Sequence, residues 1–114
     1  MVDSNEVKDA LAKSFEITNR ALYNDSGIDI YFSGSTCVTV LIVGNKIFCA
    51  NVGDSRAVLA RETSTEPVTG NKILSGYPLN RDHKANEPDE EARILSHGGR
   101  VEAFKDQAGR YVGP

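Results

Sequence analysis

The sequence predicts an α+β chain. Three observations carry that reading. Residues 4–24 repeat apolar side chains at helical spacing, residues 36–52 form two β-rich runs around Gly44-Asn45, and residues 88–99 carry helix start and stop signals.

Along residues 4–24, Val7, Leu11, Phe15 and Leu22 fall on one helical stripe, with Thr18 its polar member. Ala10, Ile17 and Ala21 widen the stripe on one side. The Thr18 hydroxyl can bond a carbonyl one turn back, so its place is tolerable. Asp3 or Ser4 can cap the N-terminus, and Glu6 stands where the helix dipole favours a negative charge. Asn24-Asp25-Ser26-Gly27 ends the helix. Such a stripe is expected to pack on another layer.

Residues 36–43 are rich in β-branched side chains and read as a strand. Gly44 in first place suits a two-residue type II′ turn, and residues 46–52 return. If Val43 pairs with Lys46, then Leu41 opposes Phe48 and Val40 opposes Cys49. Cys37 then shares a face with Leu41 and Phe48. Cys49 lies on the other face with Val38, Val40, Ile42 and Ile47, so the two cysteines are expected as buried free thiols. Both faces are largely apolar, whereas a hairpin with one wet face alternates apolar and polar. Cover on both sides is therefore expected, and a chain of 114 residues can supply only part of it.

Residues 57–60 read as a third strand. Residues 61–71, with Pro67 and Gly70, read as a loop or wide hairpin end, and residues 72–77 as a short strand. Residues 79–88 form a loop. Pro88 suits the first helical position, Asp89, Glu90 and Glu91 the N-terminal turn, His97 the C-terminal end, and Gly98-Gly99 the stop. Residues 101–104 read as a strand, 107–109 as a turn and 110–112 as the start of a returning strand.

Composition narrows the function classes. Hydrophobic residues make up 39% and charged residues 25%, which fits a globular chain. No apolar run approaches the ~20 residues of a membrane span. Net charge is −3 without a basic block, which argues against nucleic acid as a partner. The N-terminus lacks the pattern of a secretory signal, so a cytoplasmic or nuclear protein is expected.

Single motifs are weak. Asp54, between strand-like runs in Ala50-Asn51-Val52-Gly53-Asp54-Ser55-Arg56, reads first as a turn carboxylate. It could also be an oxygen ligand for Mg²⁺ or Mn²⁺. Ser55 lacks a nucleophile elbow. Ser33-Gly34-Ser35-Thr36 precedes a strand rather than a helix, which rules out a phosphate cradle. There Gly34 is expected to permit close packing. Asp82-His83 reads as a loop contact, Asp89, Glu90 and Glu91 as a solvated helix start, and His97 as a favourable helix-end charge.

Together the motifs are specific. Ser33-Gly34-Ser35-Thr36 opens a strand, Ala-Asn-Val-Gly-Asp-Ser-Arg closes the next, and Asp82-His83-Lys84 precedes Glu90, Arg93, Ile94, Gly98 and Gly99. In this order they resemble the metal-dependent protein phosphatases of the type 2C (PPM) family, over about residues 33–101. Ala85 departs from the proline common after Asp-His-Lys, which costs loop stiffness but no chemistry. The resemblance implies part of an α-β-β-α sandwich with two stacked antiparallel sheets. It implies hydrolysis of phosphoserine and phosphothreonine in protein substrates. Two Mg²⁺ or Mn²⁺ ions between the sheets would bridge the attacking water.

The family's main ligands come from an early Glu-Asp segment, from Asp-Gly-His-Gly, and from later Asp-Gly and Asp-Asn motifs. No Asp-Gly dipeptide occurs here. The resemblance thus implies that residues 1–114 are the central portion of one catalytic domain, incomplete at both ends. It carries over one metal position, Asp54, at a third and weaker site beside the two-metal centre. It carries over no catalytic residue, because His83 matches a non-catalytic histidine. Residues 82–99 match the family's flap near the substrate groove. The isolated chain is expected to be inactive, not to hold Mg²⁺ or Mn²⁺ tightly, and to self-associate through exposed sheet surface. The alternative is a non-catalytic regulatory or binding module on a degenerate phosphatase fold.

Overall fold

The computed structural model describes residues 3–112. Two helices alternate with three antiparallel strand pairs, giving the expected α+β class. The chain divides into two compact units between Arg81 and Asp82.

In the first unit, helix α1 runs over Ser4–Asn24. Its N-cap is Asp3, whose carboxylate accepts the Asn5 N–H at 2.9 Å. Thr18 donates to the Ser14 carbonyl at 2.8 Å, the bond back to the preceding turn that lets it sit in the stripe. Strands β1 (Cys37–Val43) and β2 (Lys46–Val52) form a hairpin whose pairing is the expected one, with Val43 opposite Lys46, Leu41 opposite Phe48 and Val40 opposite Cys49. Gly44 takes φ +61° while Asn45 does not take positive φ, as a type II′ turn requires.

Helix α1 packs on β2. Phe48 is the buried hydrophobic residue of the described chain, at 8% exposure, and Val7, Leu11 and Phe15 are half-buried. Lys46, on the Phe48 face, donates from Nζ to Ser4 Oγ at 2.7 Å and ties the start of the helix to the strand. The opposite face is open, with Ile42 at 67% exposure. As expected, the described residues supply only part of the cover: α1 forms one helical layer over one sheet layer of the expected sandwich. The far end of the stripe, Ile17 and Leu22, is exposed as well. Both cysteines are free, but Cys37 is exposed and Cys49 half-buried, because neither face is sealed around them.

Strand β3 (Val58–Thr65) pairs with β4 (Lys72–Pro78). It extends five residues beyond the expected end at residue 60, through a polar run expected as a loop or a wide hairpin end, and the second of these is what forms. The ladder's backbone bonds hold those residues without burial, and a bulge between Glu62 and Ser64 absorbs an irregularity. The connecting loop closes through Glu66 N–H to Asn71 O at 2.8 Å and Gly70 N–H to Glu66 O at 2.9 Å.

In the second unit, helix α2 (Pro88–Ser96) starts on its proline and ends at His97, with Gly98 at φ +77° and its neighbour Gly99 donating to the Ile94 carbonyl at 2.9 Å. A short hairpin of β5 (Phe104–Lys105) and β6 (Tyr111–Val112) follows. The strand expected at residues 101–104 begins only at Phe104. Asp106 sets that register by accepting the N–H groups of Ala108 and Arg110, each at 2.9 Å.

Candidate functional site

The corner after β2 joins several segments of the first unit through polar contacts. Four segments meet there: Thr36, Asn51, the turn at residues 53–57, and Asn80 with the Arg81 carbonyl. Gly53 opens the turn at φ +98°, where an L side chain is strained. A Cβ on Gly53 would also overlap the Thr36 side chain. Glycine is thus required twice over, by dihedral and by close approach. Gly34, expected to permit close packing, faces open space instead.

Side chains pin each end of the turn. Asn51 donates from Nδ2 to the Gly53 carbonyl at 3.0 Å and to the Arg81 carbonyl at 3.3 Å. Two carbonyls around one nitrogen fix the orientation of its amide. The other end of that amide, Oδ1, is buried without a hydrogen-bond partner. Ser55 shares a 2.6 Å hydroxyl–hydroxyl hydrogen bond with Thr36. Asn80 accepts the Ala57 N–H at 2.8 Å and donates from Nδ2 to the Ser55 carbonyl at 2.9 Å. Leu79 N–H to Ala57 O, at 2.9 Å, continues the β3–β4 ladder into the same corner.

This framework presents Asp54 at its apex, exposed to solvent. Ser55 is half-buried and serves the turn, as expected of a turn hydroxyl. Asn51 and Asn80 hold the corner, and sequence reasoning assigned them no role. The available signal was chemical: an asparagine beside a glycine turn can donate and accept toward backbone at once.

In the second unit, Asp82 is half-buried and His83 exposed. Glu90 receives two bonds from Arg93, at 2.9 Å from the terminal nitrogen and 3.3 Å from Nε. Those bonds hold the Glu90 carboxyl below its ordinary range and the Arg93 guanidinium above its own. Glu90 is thus a paired helix carboxylate, while Asp89 and Glu91 are exposed at the helix start as expected. His97 Nδ1 lies 2.8 Å from the Arg93 carbonyl, at the electronegative end of α2.

Among the described residues, no group of three or more His, Cys, Asp or Glu could hold a metal ion. Asp54 fits a hard divalent cation by donor type, as one oxygen ligand of the roughly six such an ion takes. A cavity of 330 Å³ beside the β3 bulge is lined by Arg61, Glu62, Thr63, Ser75, Gly76 and Tyr77. Its carboxylate is already committed, since Glu62 pairs with Lys72 at 2.9 Å. Among the described residues, no helix is long and apolar enough to cross a membrane.

Comparison with known proteins agrees with the motifs. A family model described as protein phosphatase 2C matches residues 2–113. The chain is 36% identical to "Probable protein phosphatase 2C 8" of Arabidopsis thaliana over 115 residues, covering 96% of this chain and 32% of that protein. It is 41% identical over 101 residues to "Probable protein phosphatase 2C 73" of Oryza sativa subsp. japonica, covering 88% and 22%. It is also 41% identical over 93 residues to "Protein phosphatase 2C homolog 3" of Schizosaccharomyces pombe, covering 82% and 20%. The chain therefore spans a third or less of the length of these curated relatives. No solved structure matches it.

Proposed function

The chain belongs to the protein phosphatase 2C family, and we propose that it forms the central part of a metal-dependent enzyme that hydrolyses phosphoserine and phosphothreonine in proteins. The observation that carries this reading is the pinned corner with an exposed carboxylate, Asp54, at its apex. It lies within the span that the family model matches.

In this reading Asp54 supplies one oxygen ligand to Mg²⁺ or Mn²⁺. This weaker site would lie beside the family's two-metal centre, and it is the ions of that centre that would supply an activated water and polarise a phosphoryl oxygen. The contribution of this chain is positional. Asn51, Asn80 and the Thr36–Ser55 pair fix the backbone on both sides of Asp54, so the carboxylate is offered without reorganisation. Phosphorylated proteins are the partner class, and the location proposed is cytoplasmic or nuclear.

Phosphate release from a phosphothreonine peptide with Mn²⁺ tests the proposal in the protein expressed from its whole coding sequence. Asp54→Asn is expected to lower the rate at least about tenfold, the minimum for disturbing a metal's surroundings. The 114-residue chain alone is expected to release no phosphate. Turnover unaffected by Asp54→Asn would overturn the role of Asp54. No turnover in the whole protein would favour a non-catalytic binding module.

A further inference from the structure

We infer that Asn80 is a positioning residue for the Asp54 carboxylate, acting through the turn rather than on the cation. The inference rests on the reading of Asp54 as a cation ligand and adds a residue to it.

The geometry is specific to a carboxamide. Asn80 stands 25 residues from Ser55 in sequence, yet its side chain bonds both to the Ser55 carbonyl and to the Ala57 N–H. These two groups flank Arg56, immediately after the Asp54-Ser55 peptide. One is an acceptor and the other a donor, so the clamp needs a side chain that donates from one atom and accepts at another. A carboxylate offers no donor, an ammonium offers no acceptor, and a single hydroxyl cannot span both. Arg81 O, 3.4 Å from the same Asn80 nitrogen, lies also within reach of Asn51. The two amides thus meet at one carbonyl, with Asn51 holding the turn before Asp54 and Asn80 holding it after.

Asp54 itself is exposed, and the conformation of its turn decides where the carboxylate points. A turn already held in place spares the binding cation the entropy of ordering it. Releasing the Asn80 clamp should weaken the cation without touching any ligand.

The test uses the protein expressed from its whole coding sequence, amide NMR and Mn²⁺ alone as the probe. Asn80→Leu removes both bonds and Asn80→Ser can keep at most one. Both variants are neutral, so long-range charge is unchanged. Resonances of the β1–β2 hairpin report whether each variant is folded, and if the leucine variant fails that check the serine variant decides. The expected result has two parts. Hydrogen exchange at the Ala57 amide accelerates, and the Mn²⁺ concentration that half-broadens the Gly53 and Ser55 amides rises roughly three- to tenfold, the scale of one or two hydrogen bonds. Rapid Ala57 exchange with an unchanged Mn²⁺ midpoint would overturn the inference while leaving Asp54 as a ligand. Unchanged Ala57 exchange would overturn it too. Absence of Mn²⁺ broadening near Asp54 in the unsubstituted whole protein would remove the ligand reading itself, and the role of Asn80 with it.

Discussion

Asn51 and Asn80 hold one corner with the same functional group used in different ways. Asn80 spends both ends of its amide on backbone, whereas Asn51 spends its nitrogen on two carbonyls and leaves Oδ1 buried and unpaired. An unpaired buried acceptor is costly, and a single bound water would relieve it. Asn51→Asp would set a carboxylate oxygen against the Gly53 and Arg81 carbonyls in place of the donor. We expect a loss of about 1–3 kcal/mol, read as a lower urea midpoint with unchanged slope. Asp54 was legible in the sequence because the Gly-Asp-Ser-Arg pattern interrupts two strand-like runs. Asn51 and Asn80 were not, because an asparagine near a glycine is common in turns of every kind. Only the fold brings residue 80 against residues 55 and 57.

Elements whose signals are local were readable, and those whose bonds are distant were not. The β1–β2 register follows from a two-residue turn: once Gly44-Asn45 is placed, the pairing from Val43–Lys46 outward is determined. Helix α2 was readable from Pro88 at one end and the glycine pair at the other. The outer half of β3 was readable only as one of two alternatives, a loop or a wide hairpin end. Residues 61–65 are Arg, Glu, Thr, Ser and Thr, all exposed, and their strand is made by β4 rather than by any core. Helix α2 also carries a pH dependence. Arg93, chiefly by its hydrogen bonds, lowers the folded-state pKa of Glu90. A depressed carboxylate contributes its stability above the unfolded-state pKa and loses it as pH falls through the folded one. NMR shifts of residues 88–96 should therefore show α2 fraying in acid, below the ordinary glutamate range. Glu90→Gln should reduce that dependence, and identical acid titrations of the two chains would contradict the pairing.

At the scale of the whole chain, one helix covers one face of the first hairpin, and Val40, Ile42, Ile47 and Val52 remain substantially exposed. Val40, Ile42 and Ile47 share the open face, and an apolar surface of this kind favours association. Sedimentation should show concentration-dependent self-association that Ile42→Lys reduces, since a charge at a 67%-exposed position costs the free chain little. A monomer at every concentration would contradict it. The apolar character of both hairpin faces was visible in the sequence; what covers the second face was not, because no pattern within residues 3–112 supplies it. The most direct test is a map of Mn²⁺ broadening over the amides of residues 3–112 in the protein expressed from its whole coding sequence. We expect an effect on residues 53–55 that needs a clearly higher Mn²⁺ concentration in Asp54→Asn. Broadening centred instead on Asp89, Glu90 and Glu91, or unchanged by Asp54→Asn, would contradict it.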